Sequence, residues 1–333
     1  MRTADLDGGP KPFTLLGEPI VLWRTSDGGV ACVQDRCCHR SAKLSIGFLE
    51  GDDIVCAYHG WAFAADGRCV RIPQRLDPAN TGRMGVPSYR AQDRYGHVWV
   101  ALGEPLTDIP LIPEASEPGF RRIDQFYETW RIGALRLMEN SFDNAHIAFV
   151  HKNSFGEITQ PIPSKNEIEE VPYGLVVRTE IPVKNRGVQQ RNLGSEGASE
   201  DTVRIMQNNW FMPFCRRLGI RYPNGLRHTI ITAATPMTDE ECMVVQWCYR
   251  NDTEADAKTE DIIAFDRQVT EEDRFVLETT DPDAPLDTRR EFHMMTDGPG
   301  VTMRRMLARL LAEHGEMEIT RDGPVPTAAA PAA

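Results

Sequence analysis

A run of about 18 apolar residues, the least that spans a membrane as a helix, is absent from the 333 residues of this chain. No charged-then-apolar stretch opens it, so an export leader is not expected and the expected location is the cytoplasm. Positive charge is scarce: 37 Lys and Arg stand against 49 Asp and Glu, for a net charge of −12 and an isoelectric point near 5.2. A nucleic-acid partner, which wants a basic surface, is disfavoured. The acidic runs Glu254 to Asp261 and Glu271 to Asp273 read as solvated helix faces. No G-x-G-x-x-G occurs, so no nicotinamide-binding fold is expected in this chain. No internal repeat is visible. The rest is ordinary for a globular protein, with 41% hydrophobic and 26% charged residues in a length that suggests two domains.

Against this background two cysteine–histidine pairs stand close together. Cys37-Cys38-His39 reads C-x-H and Cys56-Ala57-Tyr58-His59 reads C-x-x-H, with sixteen residues between them. Two thiolates and two imidazoles divided in this way suit a [2Fe–2S] cluster, Cys37 and Cys56 on one iron and His39 and His59 on the other. Both segments sit where hairpin tips are expected, after the strand-like runs Val30 to Gln34 and Ile54 to Ala57. A Cys₂His₂ zinc site is the competing reading, but its fingers pair C-x₂₋₄-C with H-x₃₋₅-H, which this spacing does not. Of the other cysteines, Cys32, Cys69, Cys215, Cys242 and Cys248 lie among apolar or strand-like residues and read as buried, reduced thiols.

A second constellation lies in residues 135–151, LRLMENSFDNAHIAFVH, where Glu139, Asp143, His146 and His151 form E-x₃-D-x₂-H-x₄-H. A helix from Leu135 to Phe149 would put Glu139, Asp143 and His146 on one face. His151 falls about 140° further round an ideal helix, so it joins them only if the helix bends or ends near Phe149. Two histidines and one carboxylate make the facial triad of non-haem Fe(II) sites. The carboxylate can be Asp143, or a residue of the long helix expected over Asp256 to Thr280. There Val269, Asp273, Val276 and Leu277 share a face, and an acid in an apolar stripe is costly unless an ion compensates it. Asp273 leads on that ground, ahead of Asp266 and Glu272, although Thr270-x-x-Asp273 also fits a local cap. Glu139 either supports Asp143 or solvates a face.

The stretch CCHRSAKLSIG…CAYHGWAF resembles the Rieske iron–sulfur family, with Cys38 where the family usually has proline, a thiol open to oxidation. Respiratory members add a disulfide between the cluster loops. The matching positions here are Ala42 and Tyr58, so the resemblance is to the ferredoxin and oxygenase branch, with potentials near the low end of the Rieske range, about −150 mV upward. Residues 135–151 resemble the catalytic-domain motif of Rieske oxygenases, and TEEDRFVLE resembles the segment carrying their third iron ligand. The resemblance covers roughly residues 10 to 312. Family members usually carry an earlier strand with a Trp-Tyr pair, and this chain opens inside that region.

The resemblance implies an α+β protein: an all-β Rieske [2Fe–2S] domain over residues 1–107, then a helix-grip catalytic domain over 108–319. A disordered tail is expected over 320–333. It implies Fe²⁺ on His146, His151 and Asp273, and a bridging role for Asp143 between an iron histidine and a cluster histidine of the neighbouring subunit in a head-to-tail homotrimer. Electrons from NAD(P)H would arrive through a ferredoxin or flavin reductase. The expected reaction uses O₂ to hydroxylate, or to O- or N-demethylate, a small apolar ring-containing substrate. Ring cis-dihydroxylation is the alternative, and a bare electron carrier a remoter one, since carriers need only about a hundred residues. Trp210, Phe211, Met212, Phe214, Trp247, Phe149 and Phe155 are candidate pocket walls.

Overall fold

The computed structural model describes residues 1–184, 189, 192–193 and 201–325. The chain divides into two compact units, Met1–Ile109 and Pro110–Ala333.

The first unit is built from short antiparallel strands. β1 (Lys11–Leu15), β2 (Glu18–Arg24) and β3 (Val30–Gln34) form one sheet. β4 (Phe48–Glu50), β5 (Asp53–Val55), β6 (Ala62–Phe63) and β7 (Cys69–Arg71) form a second, and β8 (Arg90–Arg94) pairs with β9 (His97–Ala101). Val21, Trp23, Val33, Leu44, Ile54 and Phe63 pack into a core that also takes in Cys37 and Cys56. The thiols are therefore presented from the packed interior, not from a loose tip.

The second unit is one seven-stranded antiparallel sheet with helices against it. Its strands are β10 (Arg121–Trp130), β11 (Glu167–Val171), β12 (Gly174–Lys184), β13 (Asp201–Phe211), β14 (Cys215–Arg221), β15 (Arg227–Pro236) and β16 (Cys242–Arg250). The spatial order is β10-β16-β15-β14-β13-β12-β11. The sequence predicts four of these, over Gly174 to Val183, Val203 to Pro213, Leu226 to Thr235 and Cys242 to Tyr249; β10, β11 and β14 it does not. β10 hides its alternation because its register slips between Asp124 and Phe126, a bulge that puts Ile123 and Phe126 three residues apart on the buried side. β11, exposed but for half-buried Val171 at its end, is a charged edge strand, as edges usually are. β14 carries three arginines and a glycine that mask its buried Cys215, Leu218 and Ile220.

The helix expected from Leu135 to Phe149 is instead two short ones, α1 (Ala134–Asn140) and α2 (Ile147–Val150). The break is local chemistry. Ser141 Oγ donates back to the Leu137 carbonyl at 2.9 Å, and Asp143 Oδ1 accepts from Ala145 N–H at 2.6 Å. Asn, Ser and Asp side chains offer the backbone such alternatives to helix, and the run Asn140-Ser141-Phe142-Asp143-Asn144 holds four of them. α2 is a single turn between His146 and His151. Gly156 closes over it: its N–H donates to the His151 carbonyl at 2.7 Å, and a Cβ there would meet the Ile147 carbonyl at 2.2 Å.

α3 (Thr259–Leu277) is the long helix. The Glu254 carboxylate accepts from Thr259 N–H, and Glu260 and Asp261 sit in the positive first turn. Its buried stripe runs through Ile262, Phe265, Asp266 and Leu277, with Val269 packed beside it. α4 (Gly298–Glu313) adds Met303 and Met306 to the main core with Trp130, Phe142 and Trp210. At the start of the expected tail, β17 (Glu318–Thr320) pairs with β18 (Gly323–Val325), so residues 320–325 are ordered; residues 326–333 lie outside the described residues.

Candidate metal centres and cavity

The two cysteine–histidine loops are the same turn built twice. Cys37 N–H donates to the Ala42 carbonyl and Cys56 N–H to the Trp61 carbonyl, at 2.8 and 2.9 Å. Ser41 and Gly60 N–H groups return to the Cys37 and Cys56 carbonyls, each at 2.9 Å. Both of those residues take positive φ, 59° and 72°, which Gly60 adopts freely and Ser41 only under constraint. Asp35, buried, anchors the first loop by accepting from Ser45 N–H and Oγ at 2.7 Å each. Gln74 Nε2 donates to the His59 carbonyl at 2.7 Å and anchors the second.

The four side chains meet as two pairs. The His39 and His59 rings lie 4.5 Å apart at 62°, and Trp61 stacks on His39 at 4.5 Å. Burial, with Cys56 alongside, pushes the Cys37 thiol up to about 11. His39 Nδ1 is buried without a hydrogen-bond partner. Among the described residues, two sets of three donors close to within 4.8 Å, and neither includes a cluster-loop residue. One zinc ion, with bonds of about 2.0–2.3 Å, needs all four donors closer than that. A thiol pair, an imidazole pair and an orphaned ring nitrogen fit a two-iron cluster instead.

The first of those sets is His146, His151 and Asp273. His146 Nε2 and His151 Nε2 are 3.2 Å apart, and each lies within 3.5 Å of Asp273 Oδ1. Asn140 Nδ2 donates to that oxygen at 3.1 Å. The remaining ring nitrogens decide what the centre is. His151 Nδ1 faces Glu272 Oε2 at 3.0 Å, and Ser154 Oγ donates to the same oxygen at 2.7 Å. His146 Nδ1 faces Asp143 Oδ2 at 3.4 Å, too long for a good hydrogen bond, yet with an acid as its nearest polar neighbour. Carboxylates at both Nδ1 atoms favour the proton there, which leaves two bare Nε2 lone pairs and a carboxylate oxygen pointing at one another. Only a cation reconciles three such donors, and bonds of about 2 Å put donors at these separations. Burial opposes charge on His146, but Asp143 and Asp273 more than offset it and raise its pKa. Burial opposes ionisation of Glu272 too; His151 and Ser154 hold it below the usual range.

Sequence reasoning placed Glu272 third among possible ligands and missed this orienting role. Glu272→Gln is expected to weaken iron retention by about 10- to 100-fold while leaving the cluster signal intact, because the His151 tautomer is no longer enforced. Iron titration of the stripped protein measures it. Glu139 neither supports Asp143 nor solvates a face: buried Arg304 grips it, with Nη2 2.7 Å from Oε2, and Arg136 and Glu291 extend the cluster.

A cavity of about 120 Å³ opens beside the triad. Four strands wall it with alternate residues: Arg204, Met206 and Asn208; Arg216, Leu218 and Ile220, with Tyr222 just past the strand end; His228, Ile230 and Thr232; Val244 and Gln246. Of the expected aromatic wall, Phe155 alone lines it. Trp210 and Trp247 are buried in strands, and Phe149 is 55% exposed. Asp266 lies two helical turns before Asp273 but does not reach the histidines. It accepts from Gln125 Nε2 and stands 3.4 Å from His228 Nε2. With Cys248 these form the second donor set, but Gln246 and Thr232 continue it as a hydrogen-bonded chain, and burial raises the Cys248 thiol well above its ordinary range.

The sequence profile of the Rieske [2Fe-2S] domain matches residues 1–90, and that of the vanillate O-demethylase oxygenase C-terminal domain matches residues 130–313. The chain is 28% identical over 312 residues to methylxanthine N1-demethylase NdmA of Pseudomonas putida, covering 92% of this chain and 84% of the relative. It is 30% identical over 311 residues to methylxanthine N3-demethylase NdmB of the same organism, covering 89% and 82%. The solved structure of NdmB from P. putida CBB5 superposes with a TM-score of 0.80 at 25% identity, over 95% of this chain and 90% of that one. Dicamba monooxygenase bound to dicamba shares the fold, with a TM-score of 0.78 at 22% identity over 94% and 96%. No described helix is long and apolar enough to cross a membrane. The two matched domains bring a [2Fe–2S] cluster and a mononuclear iron into one oxidoreductase. The chain therefore belongs to the Rieske non-haem iron oxygenases, terminal oxygenases that draw electrons from a ferredoxin or reductase.

Proposed function

We propose that this chain monohydroxylates or demethylates a small ring-containing substrate held in the cavity beside His146, His151 and Asp273. Cys37 and Cys56 hold one cluster iron, His39 and His59 the other, and the triad holds Fe²⁺. The triangle of bare donors, 3.2 to 3.5 Å on a side, carries the reading. The relatives named as N-demethylases support the reaction class. The cavity, about 120 Å³, is a little smaller than the void of about 150 Å³ that takes benzene, which supports a substrate of no more than one ring. Head-to-tail trimers, with a ferredoxin or flavin reductase as donor, complete the proposal.

When bound, ferrous iron supplies the site of O₂ activation and the cluster supplies electrons singly. The chain's own contribution is positional. Asn140 fixes the Asp273 oxygen, and Glu272 with Ser154 fixes the His151 ring. Asp143 orients His146 and keeps a carboxylate edge partly exposed, 34% of its side chain, for a donor from a neighbouring subunit. Ile147, Phe155, Ile181, Val183 and Met206 make an apolar surround that excludes water from the substrate's oxidisable carbon. Iron and acid-labile sulfide assay, combined with ¹⁸O₂ labelling of product, tests the whole. Expected are about three irons per chain and one labelled oxygen per turnover. Two labelled oxygens would make it a ring dihydroxylase, and two irons an electron carrier.

A further inference from the structure

Among the described residues, most arginines buried in the catalytic unit are paired with acids, and two that line the cavity are not: Arg216, whose Nη1 donates to the Ser141 carbonyl at 3.0 Å and whose Nε has no partner, and Arg204. Arg217 meets Glu114, Arg250 meets Asp252, and Arg304 meets Glu139 and Glu291. Arg204 is 5% exposed, lines the cavity, and has its Nε and Nη2 buried with no hydrogen-bond partner among the described residues. What surrounds it is aromatic: the guanidinium lies 4.4 Å from the Phe155 ring centroid and 5.7 Å from that of Tyr222. Such contacts return part of the cost of burying the cation but satisfy none of its N–H groups. In a chain with a net charge of −12, a buried arginine with no acid partner among the described residues is not explained by a lack of acids.

The position is informative. Phe155 stacks on His151 at 4.9 Å and 20°, so Arg204 is one ring removed from a triad histidine. The acids that line the same cavity are committed elsewhere: Asp273 to Asn140 and the histidines, Asp143 to Ala145 and His146, Asp266 to Gln125 and His228. The same cavity has apolar wall residues in Met206, Ile220, Ile181 and Val183, beside polar ones such as Asn208, Arg216 and Thr232. The cavity thus offers apolar surface for a ring and, from Arg204, donors without a partner among the described residues.

We infer that Arg204 anchors an oxyanion on the substrate ring, a carboxylate or a sulfonate, and so holds the opposite edge of the ring toward the triad. A planar guanidinium matches two oxygens of such a group with two parallel N–H donors. The inference rests on the proposed role of this cavity as the substrate site, and it narrows the substrate class to ring acids.

The test is equilibrium binding to the holoenzyme, with iron content measured in the same samples. The probes are 4-methoxybenzoate, 4-methoxybenzenesulfonate and neutral 4-methoxybenzamide. The wild type is expected to bind at least one of the anions at least 10-fold more tightly than the amide, and the preferred anion identifies the oxyanion. Arg204→Gln should weaken anion binding by about 10- to 100-fold and leave amide binding within about 2-fold. Arg204→Lys should restore part of the preference. Equal binding of anions and amide by the wild type, or binding of none of them, overturns the anchor without recourse to a variant. So does an anion preference that survives Arg204→Gln. Substrate-stimulated oxygen uptake with the amide but not the anions would leave the oxygenase reading intact and the anchor refuted. Two irons per chain would defeat the oxygenase reading itself.

Discussion

His151→Ala is expected to take the protein from about three irons per chain to about two and to abolish product formation, while the reduced cluster keeps its EPR signal. The reasoning is geometric. His151 is 2% exposed and contributes one of three donors within 3.5 Å of one another, and without it two donors remain for an ion that needs at least three protein ligands here. The cluster loops belong to a unit with its own core, so their donors are unaffected. Asp273→Ala should give the same result. Retention of the third iron by either variant would show that the metal sits elsewhere.

Asp143→Asn is expected to keep both metals and lose about 100-fold in coupled turnover, the upper end of what removing a carboxylate partner of a ligand histidine costs. Asp143 makes no direct contact with the proposed ion position; its Oδ1 is held by Ala145 N–H at 2.6 Å and its Oδ2 faces His146 Nδ1 at 3.4 Å. Burial raises its pKa, and His146 with the two backbone donors brings it below the ordinary range, so it carries negative charge across the working pH range. Asparagine preserves size and one acceptor but loses that charge. The discriminating measurement is single-turnover kinetics after chemical reduction of the cluster: slow iron oxidation with normal iron content supports an electron-transfer role. Unchanged coupled turnover would refute the bridge.

The ease with which parts of this architecture can be read from the chain follows the range of the interactions. The proposed cluster ligands are legible because each pair lies within one turn, and that turn is closed by its own backbone at Cys37–Ala42 and Cys56–Trp61. The two histidines proposed for iron are nearly as local, although the helix break before them lies in the competing side chains of Asn140-Ser141-Phe142-Asp143-Asn144. The third acid is harder. Asp266 and Asp273 are two turns apart on α3 and share a face, so periodicity alone cannot choose between them. Apolar context favoured Asp273; the structure brings it to the histidines and gives Asp266 to Gln125. Glu272 orienting His151, and Arg204 without an acid among the described residues, depend on contacts between elements far apart in sequence, and no local pattern announces them. β10 and β14 were hidden for a different reason, a register slip in one and a charged outward face in the other.

The alternation of the cavity strands has a consequence for how this protein can change. From β13 to β16, every cavity-lining residue carries an even number, from Arg204 to Gln246. Mutational drift at those dozen positions can trade one substrate for another, while the intervening residues keep the sheet and the triad's acid waits on a separate helix. A directed-evolution library confined to the even positions would explore new chemistry at little risk to the scaffold.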